Sequence, residues 1–162
     1  MSTKQEEANL ILKLYEIRRD ETFRRARTWF TVEFNPRGPQ DIINLMRSGH
    51  PQSAYYRMVT TYWEMACAFV NFGAVDEAFF HATNTEYMAI YAKLEPYLQE
   101  VRAAFGLPEY LAQLEKVARS APHAEEYFAK IRGLMKTWAA AHEEGRKAEQ
   151  QAAQAATGEA QE

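Results

Sequence analysis

Residues 52–72, QSAYYRMVTTYWEMACAFVNF, decide the fold. At roughly 100° per residue, Tyr55, Tyr56, Met58, Val59, Tyr62, Trp63, Met65, Ala66, Phe69, Val70 and Phe72 wrap most of the way round an ideal helix. Arg57, Thr60, Glu64 and Asn71 interrupt them on one narrow stripe. A helix that is apolar nearly all round must be covered by neighbours on several sides, so this segment is expected at the centre of an all-α bundle.

The flanking sequence supplies those neighbours. Thr3-x-x-Glu6 reads as a capping box, and nothing breaks the helix it opens until Asn35-Pro36-Arg37-Gly38-Pro39. Trp29–Phe34 is β-prone in composition but keeps the helical phase, so it is assigned to the end of that first helix. A short helix follows from Gln40 to Arg47, then the central one, closed by Gly73. One or two turns are expected over Asp76–His81 and a longer helix from Thr83 to Phe105. Pro96 lies on the polar side of that helix and is expected to bend it rather than break it. Tyr87, Ile90, Tyr91, Leu94, Leu98 and Val101 mark its buried face, with Lys93, Gln99 and Glu100 opposite. Segments Glu109–Arg119 and Pro122–Glu143 carry similar stripes. The reading is a compact bundle of five to seven helices over residues 1–143. Residues 144–162, rich in Ala, Gln and Glu, are expected to form a frayed or disordered tail because they offer no face to bury.

Composition agrees. Three Trp, nine Tyr and nine Phe among 162 residues are too much apolar surface for a disordered chain. The formal net charge of -3 lowers the expectation of a nucleic-acid binder, which usually carries a basic excess. The first residues lack the basic start and apolar stretch of a secretory signal, and no segment has the length of a membrane span. A cytoplasmic location without membrane insertion is therefore expected. Cys67, the single cysteine, sits in an apolar run and is read as a buried hydrophobe.

Chemistry-bearing patterns are sparse. A di-iron bundle needs Glu-x-x-His on two helices, and the pattern does not occur. Glu77-x-x-x-His81 stands alone, and neither phosphate-cradling glycine loops nor Gly-x-Ser-x-Gly is present. No catalytic residue, metal site or cofactor is assigned. Two polar features remain. Most of the Arg-rich stretch 18–27 reads as a solvated face carrying both signs of charge, but Arg18 and Arg25, a heptad apart, fall on the arc of Ile11, Leu14, Trp29 and Val32, and a guanidinium there needs a carboxylate or carbonyl partner. On the central helix, Glu64 of the Arg57–Thr60–Glu64–Asn71 stripe could pair with Arg18 or Arg25, the stripe could face solvent, or it could form a ligand or catalytic site.

The runs Arg57-Met-Val-Thr-Thr-Tyr-Trp-Glu-Met-Ala66, Gly73-Ala-Val-Asp76 and Glu95-Pro-Tyr-Leu-Gln-Glu-Val-Arg102 resemble a group of uncharacterised bacterial all-helical proteins over about residues 10 to 118. The resemblance implies a helical fold and a bacterial source, and transfers no catalytic residue. Three functions stay open: a non-enzymatic interaction or scaffold module that meets a protein partner or itself; a small-ligand binder with a pocket near Arg57 and Glu64, walled by Tyr55, Tyr56, Tyr62 and Trp63; and an enzyme or metal protein of a class without a legible motif.

Overall fold

The structure, a computed structural model, describes residues 3 to 159, with side chains up to Gln154. It is all helical, and no strand forms among the described residues. In chain order the α-helices are α1 (Lys4–Ile17), α2 (Glu21–Thr28), α3 (Pro39–Arg47), α4 (Pro51–Asn71), α5 (Glu77–Thr83), α6 (Glu86–Leu94), α7 (Leu98–Phe105), α8 (Ala112–Ser120) and α9 (Ala124–Glu159). A π-helical turn over Trp29–Glu33 extends α2, and a 3-10 turn over Glu95–Tyr97 joins α6 to α7.

These segments outnumber the expected five to seven because two long helices are divided. The expected first helix breaks at Arg18–Asp20, where Asp20 turns extended and its side chain accepts the N–H of Phe23, capping α2. A strong N-cap can start a new helix without glycine or proline. The second break falls at Glu95–Tyr97, where Pro96 does more than bend the helix: the backbone tightens to 3-10 geometry, since proline has no N–H to offer. The Thr3/Glu6 capping box forms, and Gly73 takes φ +75°, a left-handed conformation suited to glycine.

Helix α4 packs against α2 and α8, with α3 alongside its first turns. Trp63, Val59, Ala66 and Cys67 have no exposed surface, while Tyr56 and Tyr62 are nearly as deep. Its coverage is incomplete, however: Met65 is 40% exposed and Phe72 83%. The fully enclosed element is α6, where every residue from Tyr87 to Leu94 is buried against α8, α9 and the π turn. Lys93, expected on a solvated face, is buried with them. Rings run through the centre in sequence, Phe23 on Tyr62, Tyr62 on Trp63 and Trp63 on Tyr87, at centroid distances of 4.8, 4.9 and 6.0 Å. Cys67 belongs to this core, and burial pushes its thiol pKa up, away from reactivity.

Helix α9 buries Ala124, Phe128, Ile131 and Met135, but Leu134 and Trp138 stay partly exposed. It continues to Glu159, with residues 144–154 exposed. Residues 160–162 of the expected tail lie outside the described residues.

Candidate functional site

Glu86 starts α6, where a carboxylate is favoured by the unpaired N–H groups and positive end of the helix. It is also deep, with its side chain 16% exposed. Arg18 Nη2 donates to it at 3.0 Å, and Arg27 donates from Nε at 2.9 Å and also from Nη2. The indole Nε1–H of Trp63 completes the set at 3.3 Å. Burial works to raise the Glu86 pKa, but the hydrogen bonds and charges of Arg27, Arg18 and Trp63 outweigh it and hold the carboxyl below its ordinary value. The guanidinium carbon of Arg18 lies 5.2 Å from the Trp63 ring centroid, a cation–π contact. One carboxylate thus ties the α1–α2 joint, α2, α4 and α6 together.

This arrangement overturns the expected pairing of Glu64 with Arg18 or Arg25. Because the first helix breaks at residues 18–20, Arg25 is carried outward, exposed, and pairs with Glu21. Arg18 goes to Glu86. Glu64 turns to the opposite side and accepts the N–H groups of Gln113 at 3.0 Å and Leu114 at 2.8 Å. Helix α8 opens from Leu111, whose φ of 56° is left-handed and whose side chain offers no cap. Glu64 supplies that cap from another helix. Asn71, two turns further along α4, donates from Nδ2 to the carbonyl and side-chain oxygens of Gln113. Thr60 is buried and bonds back to the Tyr56 carbonyl, and Arg57 is exposed. Two members of the α4 stripe therefore form a seat for α8, and the groove expected beside Glu64 is occupied by that helix.

Lys93 gives a second buried polar contact that the sequence did not flag. A π turn leaves carbonyls without the usual i→i−4 partner. Lys93 Nζ reaches three of them, Phe30 at 2.7 Å, Thr31 at 3.0 Å and Phe34 at 2.7 Å. Asn35 Nδ2 takes Val32 and Glu33, and Phe34 N–H takes Trp29. Every carbonyl of the segment is satisfied. Burial lowers the Lys93 pKa to about 8.

The open concavities lie on the other side of Glu86. Tyr15, Arg18, Arg19, Arg24 and Arg27 line a cleft of about 400 Å³. A smaller one of about 150 Å³ continues it past Thr28 and Thr31 to Glu86. A separate open groove of about 640 Å³ runs between the π turn and α9, with Trp29, Glu33, Gln52, His142 and Arg146 among its walls. Among the described residues no three His, Cys, Asp or Glu side chains gather as a metal site would require, and no helix is long and apolar enough to cross a membrane.

Comparison with curated proteins and with solved structures finds no match. Residues 5–121, from the first turn of α1 to the end of α8, match the family described as Domain of unknown function (DUF4760), and the chain belongs to that family.

Proposed function

We propose that the chain is a non-enzymatic helical interaction module whose contact element is α1 and whose partner is a second copy of the chain. One observation carries this reading. Leu12 and Tyr15, three residues apart on one face of α1, are each 59% exposed, while the helix itself buries only Glu7 and Leu14. Large apolar side chains side by side in water mark a surface that gains by being covered, at about 1.5–3 kcal/mol per side chain. Lys13 and Glu16 flank that face and pair with each other at 3.1 Å. An antiparallel pair of α1 helices related by a two-fold axis sets Leu12 near the partner's apolar residues and gives each lysine the other copy's glutamate, the self-complementarity such an interface requires. The buried polar groups support a structural rather than catalytic role, since Glu64, Glu86, Lys93 and Arg102 are each engaged with fixed protein partners.

Light scattering coupled to size exclusion tests the reading. The chain should elute as a dimer at micromolar concentration, and Leu12→Ser/Tyr15→Ser should run as a folded monomer whose melting temperature, unlike that of the wild type, does not depend on concentration. A wild-type chain that stays monomeric throughout the accessible concentration range overturns it, as does a dimer the double substitution leaves intact.

A further inference from the structure

The cleft beside Glu86 is unusual for its charge. Helix α1 ends at Ile17, and the capped turn at Asp20 sets the start of α2 next to that end. Arg18 and Arg19 come from the joint, and Arg24 and Arg27 from one face of α2, three residues apart. Four guanidiniums and the ring of Tyr15 are its walls.

Glu86 does not balance them. It engages Arg18 and Arg27 and leaves Arg19 and Arg24 with no ion pair or side-chain hydrogen bond among the described residues. Arg18 Nε is buried and has no acceptor. Several other arginines have acids, Glu21 for Arg25, Glu115 for Arg102, Glu95 for Arg132 and Glu143 for Arg146, while Arg37, Arg47 and Arg57 have no ion pair among the described residues; Arg19 and Arg24 differ from these three in lining one cleft together with two further guanidiniums. Arg19 and Arg24 are exposed, so water screens much of their repulsion from Arg18 and Arg27, yet no carboxylate lines the cleft although the chain carries a net charge of -3. Such a local departure from charge matching is where a ligand's charge belongs.

We propose that this cleft binds a small-molecule phosphate monoester. The two unmatched guanidiniums call for two negative charges on one compact group, which a phosphate monoester carries near neutral pH and a carboxylate does not. Arginine suits it because the planar fork grips two oxygens at once. A volume of about 400 Å³ fits a small ligand and is at the low end of such sites. Tyr15, 59% exposed at the rim, offers a ring against which the organic part packs. The charged part of the site stands apart from pairing through α1, because Arg19 and Arg24 lie beyond the end of that helix, whereas Tyr15 belongs to both surfaces and serves the ligand only in the unpaired chain.

Isothermal titration of the full chain at low salt, with phenyl phosphate, inorganic phosphate and benzoate as probes, tests it. Phenyl phosphate should bind one to one, at least tenfold tighter than benzoate, with inorganic phosphate competing more weakly. Arg19→Gln/Arg24→Gln should weaken phenyl phosphate at least tenfold with the melting temperature unchanged, since neither side chain has a protein partner to lose. Tyr15→Leu should weaken phenyl phosphate several-fold and leave inorganic phosphate alone. Benzoate binding as tightly, inorganic phosphate binding as tightly, no saturable binding at millimolar probe, or undiminished binding by the double variant each overturns the proposal.

Discussion

Trp63 and Glu86 are joined by a 3.3 Å hydrogen bond from the indole N–H to the carboxylate, so the deepest aromatic of α4 is fastened to the first turn of α6. Arg18 and Arg27 bind the same carboxylate, and replacing it with an amide would leave two half-buried guanidiniums without a counter-charge and put an NH2 donor where they need an acceptor. Glu86→Gln should therefore cost about 3 kcal/mol, measured by urea unfolding at pH 7. Because the folded-state pKa of Glu86 is lowered, its contribution is present above the ordinary carboxylate value of 4.5 and is lost as pH falls through the folded value. The gap between wild type and variant should narrow on acidification. A gap that holds to pH 3 would contradict the assignment.

Lys93 predicts the opposite sign. Its folded pKa is about 8 against an ordinary 10.5, so between those values the unfolded chain holds a proton the folded chain has released. Stability should rise with pH across that window, by at most about 1.4 kcal/mol per unit. Lys93→Met should remove this contribution, so that the stability of the variant falls progressively further behind wild type as pH rises. It should also destabilise the protein by roughly 3 kcal/mol at pH 7, since three buried carbonyls lose their donor. Urea unfolding of both proteins from pH 7 to 9.5 checks slope and offset together. Cys67, Tyr62, Tyr87 and Tyr91 have raised pKa values in the folded chain and oppose the rise as the unfolded chain releases their protons toward the top of that range, so it is the difference between wild type and variant that reports Lys93.

Glu64→Ala removes the cap that α4 provides for α8. A loss of about 1–2 kcal/mol is expected in thermal melts, with Arg57→Ala, an exposed neighbour on the same helix, within about 0.5 kcal/mol of wild type. Equal effects from the two substitutions would show that the contact with Gln113 and Leu114 carries no weight.

Ending the chain at Glu143 should leave the core intact, because residues 144–154 are exposed. The melting midpoint should shift by less than about 0.5 kcal/mol in free-energy terms. Circular dichroism of the two lengths then reports how much of the segment after Glu143 is helical in solution. A marked fall in the midpoint would mean that this segment packs.

The aromatic recurrence on α4 revealed the helical class and the depth of Tyr62 and Trp63, because burying that much ring surface leaves few arrangements open. The breaks were harder to read. Arg18-Arg19-Asp20-Glu21 contains no glycine or proline, and Asp20 looks like any other surface acid until its carboxylate is seen to take the Phe23 N–H. Once that turn is missed, the wheel places Arg18 and Arg25 on one arc, although the fold sends one to Glu86 and the other to Glu21. Lys93 was misread for a different reason. A lysine stem is long and apolar, so the residue can sit among buried neighbours while only its tip seeks oxygen. Those oxygens are free because of a π turn that periodicity does not mark. Glu86 did carry a signal, an acid in a first helical turn, but one shared with many solvated residues.

Helix α1 is held to the rest by Leu14, by the partly buried Leu10 and Ile11, by the Tyr62 hydroxyl on the Leu14 carbonyl at 2.7 Å, by Glu7 on the Asp76 N–H at 3.2 Å and Lys4 beside the Asp76 carboxylate, and, just past its end, by Arg18 on Glu86. With only Glu7 and Leu14 of its residues fully buried, it is expected to open before α4 and α6 do. Its amide hydrogens should exchange with solvent well ahead of theirs, and its departure would remove Tyr15 and Arg18 from the arginine cleft in a single motion.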